Sequence, residues 1–227
     1  MEFEIIARPG AAAARVRLSR GETLTAEVGS MIAMSTGLEV ETTSAQRGGG
    51  SMLGGLKRLF AGENFFLNHF RASAEGQEVI VGPPLLGDVH VHRLRSGSLV
   101  VQGSGWLAST QGIEVDATWQ GLGAGLFGGE GMFWVKCSGQ GEVLLNSFGA
   151  IYEVEVGQEG YIVDTGHIVA FEDTLRFSIA KAGQSWVGSF LGGEGLVCRF
   201  SGQGKLYCQT HHPMSFARML GPKLKAR

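Results

Sequence analysis

The phrase LFGGEG at residues 126–131 returns almost unchanged as FLGGEG at residues 190–195 and in diverged form as LFAGEN at residues 59–64. Each copy leads into a short apolar run and then a glycine turn, which reads SGQG at residues 138–141 and 201–204. The glutamates of successive phrases are 67 and 64 residues apart, so a unit of about 65 residues occurs three times. Such a period is typical of supersecondary units that bury their apolar faces against one another.

Apolar and polar residues alternate upstream of each phrase. GLEVE at residues 37–41 resembles GIEVD at residues 112–116, and TLRFS at residues 174–178 takes the third position. A period of two in short runs bounded by glycine, serine or aspartate predicts half-buried strands in antiparallel sheets. Glycine is abundant, at 37 of 227 residues, which fits a fold with many tight turns. These features predict an all-β protein.

The repeats are placed near residues 15–92, 93–156 and 157–212, and no charge run or Pro/Ser-rich linker separates them. We therefore expect a single domain, residues 1–227, in which three β units share one core. A glycine-rich apolar insert interrupts each unit. Three units in one closed arrangement are favoured over independent lobes, because nothing in the composition marks a boundary between them.

The C-terminal tail has a different character from the repeats. The sequence PMSFARML from Pro213 predicts a short helix, which the following Gly-Pro pair should end. Beyond the start of this segment the tail has four positive charges and no negative charge. A solvated terminus is the ordinary interpretation, and contact with an acidic surface or another subunit is the alternative.

Composition excludes several classes of partner. Hydrophobic residues make up 44% of the chain and charged residues 18%, which supports a packed core rather than disorder. The formal net charge of −2 gives no general attraction to phosphates, so we expect no DNA partner and do not favour RNA.

The acidic N-terminus has no secretory signal, no window is apolar enough for a spanning helix, and the three cysteines form no CxxC pair. We therefore expect a cytoplasmic protein.

The triplicated GGEG-type phrase, followed each time by an apolar strand and an SGxG-type turn, is similar to the altered-inheritance-of-mitochondria (mitochondrial biogenesis) type family, formerly a bacterial domain of unknown function. The similarity extends to about residue 212. It implies an all-β fold like that of the tryptophan RNA-binding attenuation protein, with three short double-stranded β-helix repeats around a pseudo-threefold axis. Bacterial members have no established activity, and the fungal mitochondrial member is linked to inner-membrane architecture. That role does not transfer directly, because this sequence shows no transit peptide, and fold likeness alone transfers no tryptophan or RNA site.

The polar residues held through all three phrases are the three glutamates. We expect each carboxylate to accept backbone N–H bonds from its own glycine turn, and a shared cation site near the axis is the alternative. The structural residues of the motif are Gly62, Glu63, Gly128, Gly129, Glu130, Gly131, Gly192, Gly193, Glu194 and Gly195.

The apolar inserts supply a candidate interaction surface. If they gather at one end of the fold and are exposed, their patch marks a self-interface, a protein partner or a membrane surface; otherwise they fill the core. The residues are Leu53, Leu56, Phe60, Trp119, Leu122, Trp186 and Phe190.

Histidines are the remaining candidates for chemistry. His90 and His92 are two residues apart on a predicted strand, so both point to one face at a spacing that metal ligands use. No third ligand is evident, since His211 and His212 form a loop pair that need not converge on them, and surface histidines are the ordinary interpretation. No catalytic constellation, metal site or cofactor motif stands out, so we expect no enzyme.

The sequence therefore favours a non-catalytic oligomeric scaffold or interaction protein, and a membrane-peripheral location is one option for it. A small-molecule or single-stranded RNA binding module is the alternative, and a metal-dependent cupin-like enzyme is less favoured.

Overall fold

The computed structural model describes residues 1–8, 10–44, 66–116, 134–181 and 196–224, and these are mostly β-structure. Their strands are β1 (Glu2–Ile6), β2 (Ala13–Leu18), β3 (Thr23–Glu27), β4 (Met31–Met34), β5 (Glu39–Ser44), β6 (Phe66–Arg71), β7 (Gln77–Val81), β8 (Val89–Leu94), β9 (Ser98–Gln102), β10 (Trp106–Thr110), β11 (Ile113–Asp116), β12 (Trp134–Gly139), β13 (Gly141–Asn146), β14 (Ile151–Val156), β15 (Tyr161–Asp164), β16 (Ile168–Glu172), β17 (Arg176–Lys181), β18 (Leu196–Ser201) and β19 (Gly204–Gln209). Within the same ranges, a short helix, α1 (Pro213–Leu220), follows β19 and leads into a 3-10 turn at Gly221–Lys223. The predictions of an all-β fold and of a short C-terminal helix are confirmed.

The strands form four sheets. Sheet 1 has the order β1-β2-β7-β4, sheet 2 the order β5-β6-β3-β10-β13-β8, sheet 3 the order β11-β12-β9-β16-β19-β14, and sheet 4 the order β15-β18-β17. Every strand ladder among the described residues is antiparallel, as the alternating sequence predicts.

The same strand order recurs along the chain. The triplets β2-β7-β4, β8-β13-β10 and β14-β19-β16 correspond to one another, as do β5-β6-β3, β11-β12-β9 and β17-β18-β15. Two junctions between triplets, β3 with β10 and β9 with β16, create the six-stranded sheets. In the first set of triplets, the third strands are β4, β10 and β16. Each of them has a register shift before an alanine, which is Ala33, Ala108 or Ala170 respectively.

Three buried clusters separate the four sheets. In the first, Val16 of sheet 1 packs with Leu24 and Phe70 of sheet 2. A second cluster contains Val143 and Leu145 of sheet 2 together with Val135 and Tyr207 of sheet 3. The third joins Leu206 and Cys208 of sheet 3 to Phe200 of sheet 4. Burial of each large apolar side chain contributes roughly 1.5–3 kcal/mol before the entropy of folding is subtracted.

Alternation correctly predicts most, but not all, side-chain positions. On β2, Val16 and Leu18 are buried, while Arg15 and Arg17 face carboxylates across the sheet, Arg15 reaching Glu4 at 3.0 Å. On β5 the pattern is not followed, because Val40 is 46% exposed.

The SGQG turns connect strands of neighbouring sheets, β12 to β13 and β18 to β19. Gly139 has a φ of +112° and Gly202 a φ of +107°, values that side chains disfavour. A Cβ at these positions would also collide with the carbonyl oxygens of Gly112 and Thr174. Glycine is therefore required at both turns.

Candidate functional site

Most residues predicted for function lie outside the described ranges. These are the motif residues Gly62, Glu63, Gly128, Gly129, Glu130, Gly131, Gly192, Gly193, Glu194 and Gly195 and the residues of the predicted surface, Leu53, Leu56, Phe60, Trp119, Leu122, Trp186 and Phe190. Within the described ranges, three features are candidates: a network around Tyr207, a histidine cluster beside α1, and two exposed edge strands.

His90 and His92 lie on β8, and both rings face Tyr207 on β19. The ring centroids are 5.0 Å apart for His90 and Tyr207 and 5.5 Å apart for His92 and Tyr207. His92 is only 6% exposed, and its Nδ1 lies 2.7 Å from the Tyr207 hydroxyl oxygen. The prediction that both histidines share one face is confirmed. The interpretation of His92 as a surface histidine is wrong, because this face packs against sheet 3.

Tyr207 connects these histidines to an ion pair on sheet 3. Glu153 Oε1 lies 2.7 Å from Lys205 Nζ, and the Tyr207 hydroxyl also hydrogen-bonds to the Glu153 carboxylate. Because a carboxylate only accepts, the hydroxyl donates to Glu153 and its oxygen accepts from the Nδ1–H of His92. His92, Tyr207, Glu153 and Lys205 thus form one continuous network.

Burial sets the protonation state of this network. It lowers the pKa of His90 and His92 and raises the pKa of Tyr207. Burial alone would raise the pKa of Glu153, but hydrogen bonds from Lys205 and Tyr207 outweigh it, so this pKa is lowered. At neutral pH the network therefore contains neutral imidazoles, a phenol and a carboxylate paired with an ammonium. Its polar groups bind one another, which is the arrangement of a structural connection between two sheets.

A second ion pair lies near His90. Arg8 Nε and Nη2 donate to the two oxygens of Asp88 at 2.8 and 2.7 Å, and Asp88 is 2% exposed. Asp88 Oδ1 also accepts the backbone N–H of Val89 at 2.8 Å. This bidentate pair fastens the segment after β1 to the start of β8. Among the residues that the structure describes, no group of three or more histidine, cysteine, aspartate or glutamate side chains is placed to hold a metal ion.

The second histidine cluster lies at the start of α1. His212 Nδ1 accepts the backbone N–H groups of Met214 and Ser215 at 3.1 and 3.4 Å and so caps the helix. Its Nε2 lies 3.7 Å from Asp164 Oδ1, and its ring meets that of His167 edge-on at 5.6 Å. His211 packs instead against Phe148. The pair predicted from the sequence thus divides between two local roles.

Two of the described strands each present more than one large apolar side chain to solvent. On β4, Met31, Ile32 and Met34 are 42%, 62% and 42% exposed, and on β15, Tyr161 and Ile162 are 41% and 54% exposed. Both are edge strands, and no described strand pairs with their outer edges. An edge strand with unpaired backbone groups and apolar side chains is a ready template for pairing with another chain. Sequence reasoning did not identify either strand as a surface; the signal was MIAM on β4, four consecutive residues without a charge.

Together these features define an all-β protein of stacked antiparallel sheets in which the described polar clusters serve the fold and two edge strands, β4 and β15, expose apolar side chains. The family model described as Mitochondrial biogenesis AIM24 matches residues 3–211, so the chain belongs to this family. It is 25% identical over 209 residues to an uncharacterised protein of Streptococcus pyogenes serotype M6, a match that covers 90% of this chain and 84% of that protein.

A solved structure supports the fold. The chain resembles the crystal structure of a Streptococcus pyogenes protein with a TM-score of 0.77 and 23% sequence identity, over 98% of this chain and 99% of the other. At this identity the likeness shows the fold alone. In the described part of the chain, no helix has the length and apolar character needed to span a membrane.

Proposed function

We propose that this chain is a non-catalytic, oligomeric scaffold or interaction protein of the cytoplasm. Its architecture in this proposal is a single domain of three short double-stranded β-helix repeats around a pseudo-threefold axis, resembling the tryptophan RNA-binding attenuation protein. The recurring strand order supports the three units. A reducing compartment is supported by free, buried Cys137, Cys198 and Cys208, since burial raises the pKa of Cys137 and Cys198 to about 12 and that of Cys208 to about 11.

The observation that carries the proposal is the apolar surface of β4 and β15. Their exposed side chains belong to strands, so they are held in fixed positions by ladders to β7 and β18. Rigid apolar surface next to unpaired backbone groups favours association, because burial gains free energy with little loss of conformational freedom. Scattered apolar side chains on loops would not have this property.

The polar groups support a non-catalytic role. A general base needs access to a substrate proton and a free acceptor. His92 instead hydrogen-bonds to Tyr207, and the carboxylate of Glu153 is engaged by Lys205. The thiols have raised pKa values and are poor nucleophiles near neutral pH.

Native mass spectrometry of the full chain tests the proposal. We expect a defined assembly heavier than the 24.1 kDa chain, without a retained small molecule, nucleic acid or metal. A monomer at micromolar concentration contradicts the oligomeric proposal, and a retained ligand in stoichiometric amount favours the binding-module or metal-enzyme alternatives.

The apolar inserts provide a separate test of where the scaffold binds. Replacing Trp119 and Trp186 with serine should shift the assembly mass, or weaken flotation with anionic vesicles, while the far-ultraviolet circular dichroism stays unchanged. Unchanged assembly and vesicle binding, or loss of the fold, would show that these side chains are not an interaction surface.

A further inference from the structure

We propose that β4 of one chain pairs antiparallel with β15 of a second copy of the same chain, so that protomers associate head to tail through a continuous sheet. This inference rests on the proposed oligomeric role and names its interface. Each of these two edge strands is thus the proposed partner of the other on a neighbouring copy. Closure of the same two edges within one chain, around the pseudo-threefold axis of the proposed function, is the alternative that the tests below distinguish.

The two junctions inside the chain are the template. In the first, β10 pairs with β3 through Ala108 opposite Ala26, Ser109 opposite Thr25 and Thr110 opposite Leu24. The second repeats this geometry, with Ala170, Phe171 and Glu172 of β16 opposite Val101, Val100 and Leu99 of β9. In both junctions, one partner is the strand with the register shift, β10 or β16, which is the third strand of a triplet of the first set. The other partner, β3 or β9, is the third strand of a triplet of the second set.

β4 is a strand of the first kind. Like β10 and β16, it pairs with the middle strand of its triplet and has a register shift before its alanine, here between Met31 and Ala33. Ala33 therefore corresponds to Ala108 and Ala170, and Met34 corresponds to Ser109 and Phe171.

β15 is a strand of the second kind. β9 ends two residues after Val100 and is followed by a 3-10 turn at Gly103–Gly105; β15 ends two residues after Ile162 and is followed by a 3-10 turn at Thr165–His167. Ile162 thus corresponds to Val100, and Val163 corresponds to Val101. Transferring the register of the internal junctions places Ala33 opposite Val163, Met34 opposite Ile162 and Ser35 opposite Tyr161.

Burial separates the paired strands from the unpaired ones. In the second junction Val100 and Phe171 face each other and are 2% and 3% exposed. Their counterparts Ile162 and Met34 are 54% and 42% exposed. Ile32, at 62%, corresponds to the fully buried Leu107 and to Val169 at 1%. The two edge strands thus have apolar side chains at positions whose counterparts in the paired strands lie in the buried clusters between neighbouring sheets.

The composition of the two edges also points to pairing with a copy. Edge strands that must stay single use charged residues or proline to block further pairing. β4 has neither, and on β15 the acidic Asp164 caps the following turn by accepting the N–H of Gly166 at 2.9 Å. Because the two surfaces differ, their contact is heterologous and produces a ring or an open chain of protomers.

Charge substitution tests the interface. Met34→Lys and Ile162→Glu should each convert the wild-type assembly to monomer, while Leu86→Lys, a control at an apolar side chain that is 72% exposed outside both strands, should not. Mixing the two edge variants should restore the assembly, because the ammonium introduced on β4 would then face the carboxylate introduced on β15 across the new ladder. The far-ultraviolet spectrum and melting temperature of each variant confirm that it is folded.

Disulfide trapping tests the register. Directly opposed side chains have Cβ atoms about 4.5–5.5 Å apart, close to the spacing of a disulfide. A mixture of Met34→Cys and Ile162→Cys chains should give a disulfide-linked species of twice the chain mass, and Met34→Cys with Leu86→Cys should not. The native cysteines are buried and should contribute little background.

The outcomes separate this inference from the proposed function. A wild-type assembly that neither edge variant disturbs, with no trapped species, overturns the β4–β15 interface and leaves the oligomeric role intact. A wild-type monomer overturns both. A double Met34→Cys, Ile162→Cys chain that forms only an internal disulfide shows that the two edges close within one chain, which also overturns the pairing of copies.

Discussion

Replacing Tyr207 with phenylalanine probes the connection between sheets 2 and 3 most directly. The change removes one oxygen and keeps the ring, so the packing against His90 and His92 is preserved. It leaves the Nδ1–H of His92 without its acceptor at 2.7 Å, in a side chain that is 6% exposed. It also removes a donor from Glu153, which keeps the ammonium of Lys205.

The magnitude follows from these contacts. An unsatisfied buried donor costs about 1–3 kcal/mol of unfolding free energy, whereas Glu153 is partly exposed and water can replace the lost donor. We therefore expect Tyr207→Phe to lower the unfolding free energy by about 1–3 kcal/mol. For a chain of this size that corresponds to a decrease in melting temperature of roughly 2–12 °C.

The assay is chemical and thermal unfolding with a double-mutant cycle. Tyr161→Phe, which removes a hydroxyl from a side chain that is 41% exposed, is the matched control and should change the unfolding free energy by less than about 0.5 kcal/mol. His92→Phe combined with Tyr207→Phe should be less damaging than the sum of the single changes, because no polar atom is then left unpaired. The coupling should be about 0.5–3 kcal/mol.

Two results would refute this reasoning. If Tyr207→Phe is as stable as wild type, His92 does not depend on the hydroxyl as an acceptor. If the two changes are additive, the 2.7 Å contact contributes no coupling and the sheets are joined by apolar packing alone.

Three further predictions concern other parts of the fold. Burial raises the pKa of Glu27 from 4.5 to about 7, so the folded state retains its proton between these values and the unfolding free energy falls as pH rises through this window. In Glu27→Gln this pH-dependent loss of unfolding free energy should be smaller by about 1–3 kcal/mol. Urea midpoints that decrease equally with pH in the variant and the wild type would contradict this. Gly202→Ala should lower the unfolding free energy by more than about 1 kcal/mol, because φ is +107° there, whereas Gly157→Ala, which meets no atom within 4 Å, should have little effect. His212→Ala should remove about 0.5–2 kcal/mol of capping from α1 and speed amide exchange in that helix, without moving the melting temperature, because no helix residue is buried; a lower melting temperature would show that α1 supports the sheets.

The sequence was sufficient to predict strands but not how they are arranged in sheets. Alternation located Val16 and Leu18 inside because the period of a strand is two, and glycine at Gly139 and Gly202 marked turns that need positive φ. The assignment of β9 to the same sheet as β16 depends on contacts between residues about seventy positions apart, which no local pattern encodes.

The network around Tyr207 illustrates the same limit for a site. His90 and His92 were found because their spacing is local, and their shared face was predicted correctly. Tyr207 lies 115 residues from His92, and only the packing of sheet 2 on sheet 3 brings the hydroxyl to the imidazole. The same histidine pair would have looked suited to a metal in a fold that placed a third ligand opposite, so spacing alone could not decide between the two roles.

The exposure of β4 and β15 follows from topology and not from composition. β10 reads WLAST and β16 reads IVAFE, so the MIAM of β4 is as apolar as strands that are almost entirely buried. Among the described strands, β4, β10 and β16 occupy equivalent positions, and so do β3, β9 and β15. The two junctions pair β10 with β3 and β16 with β9. β4 and β15 are left without a described partner at their outer edges, and both expose apolar side chains. An edge that stays solvated ordinarily has charge at such positions, so the large apolar side chains of Met34 and Ile162 are best explained by a contact that buries them.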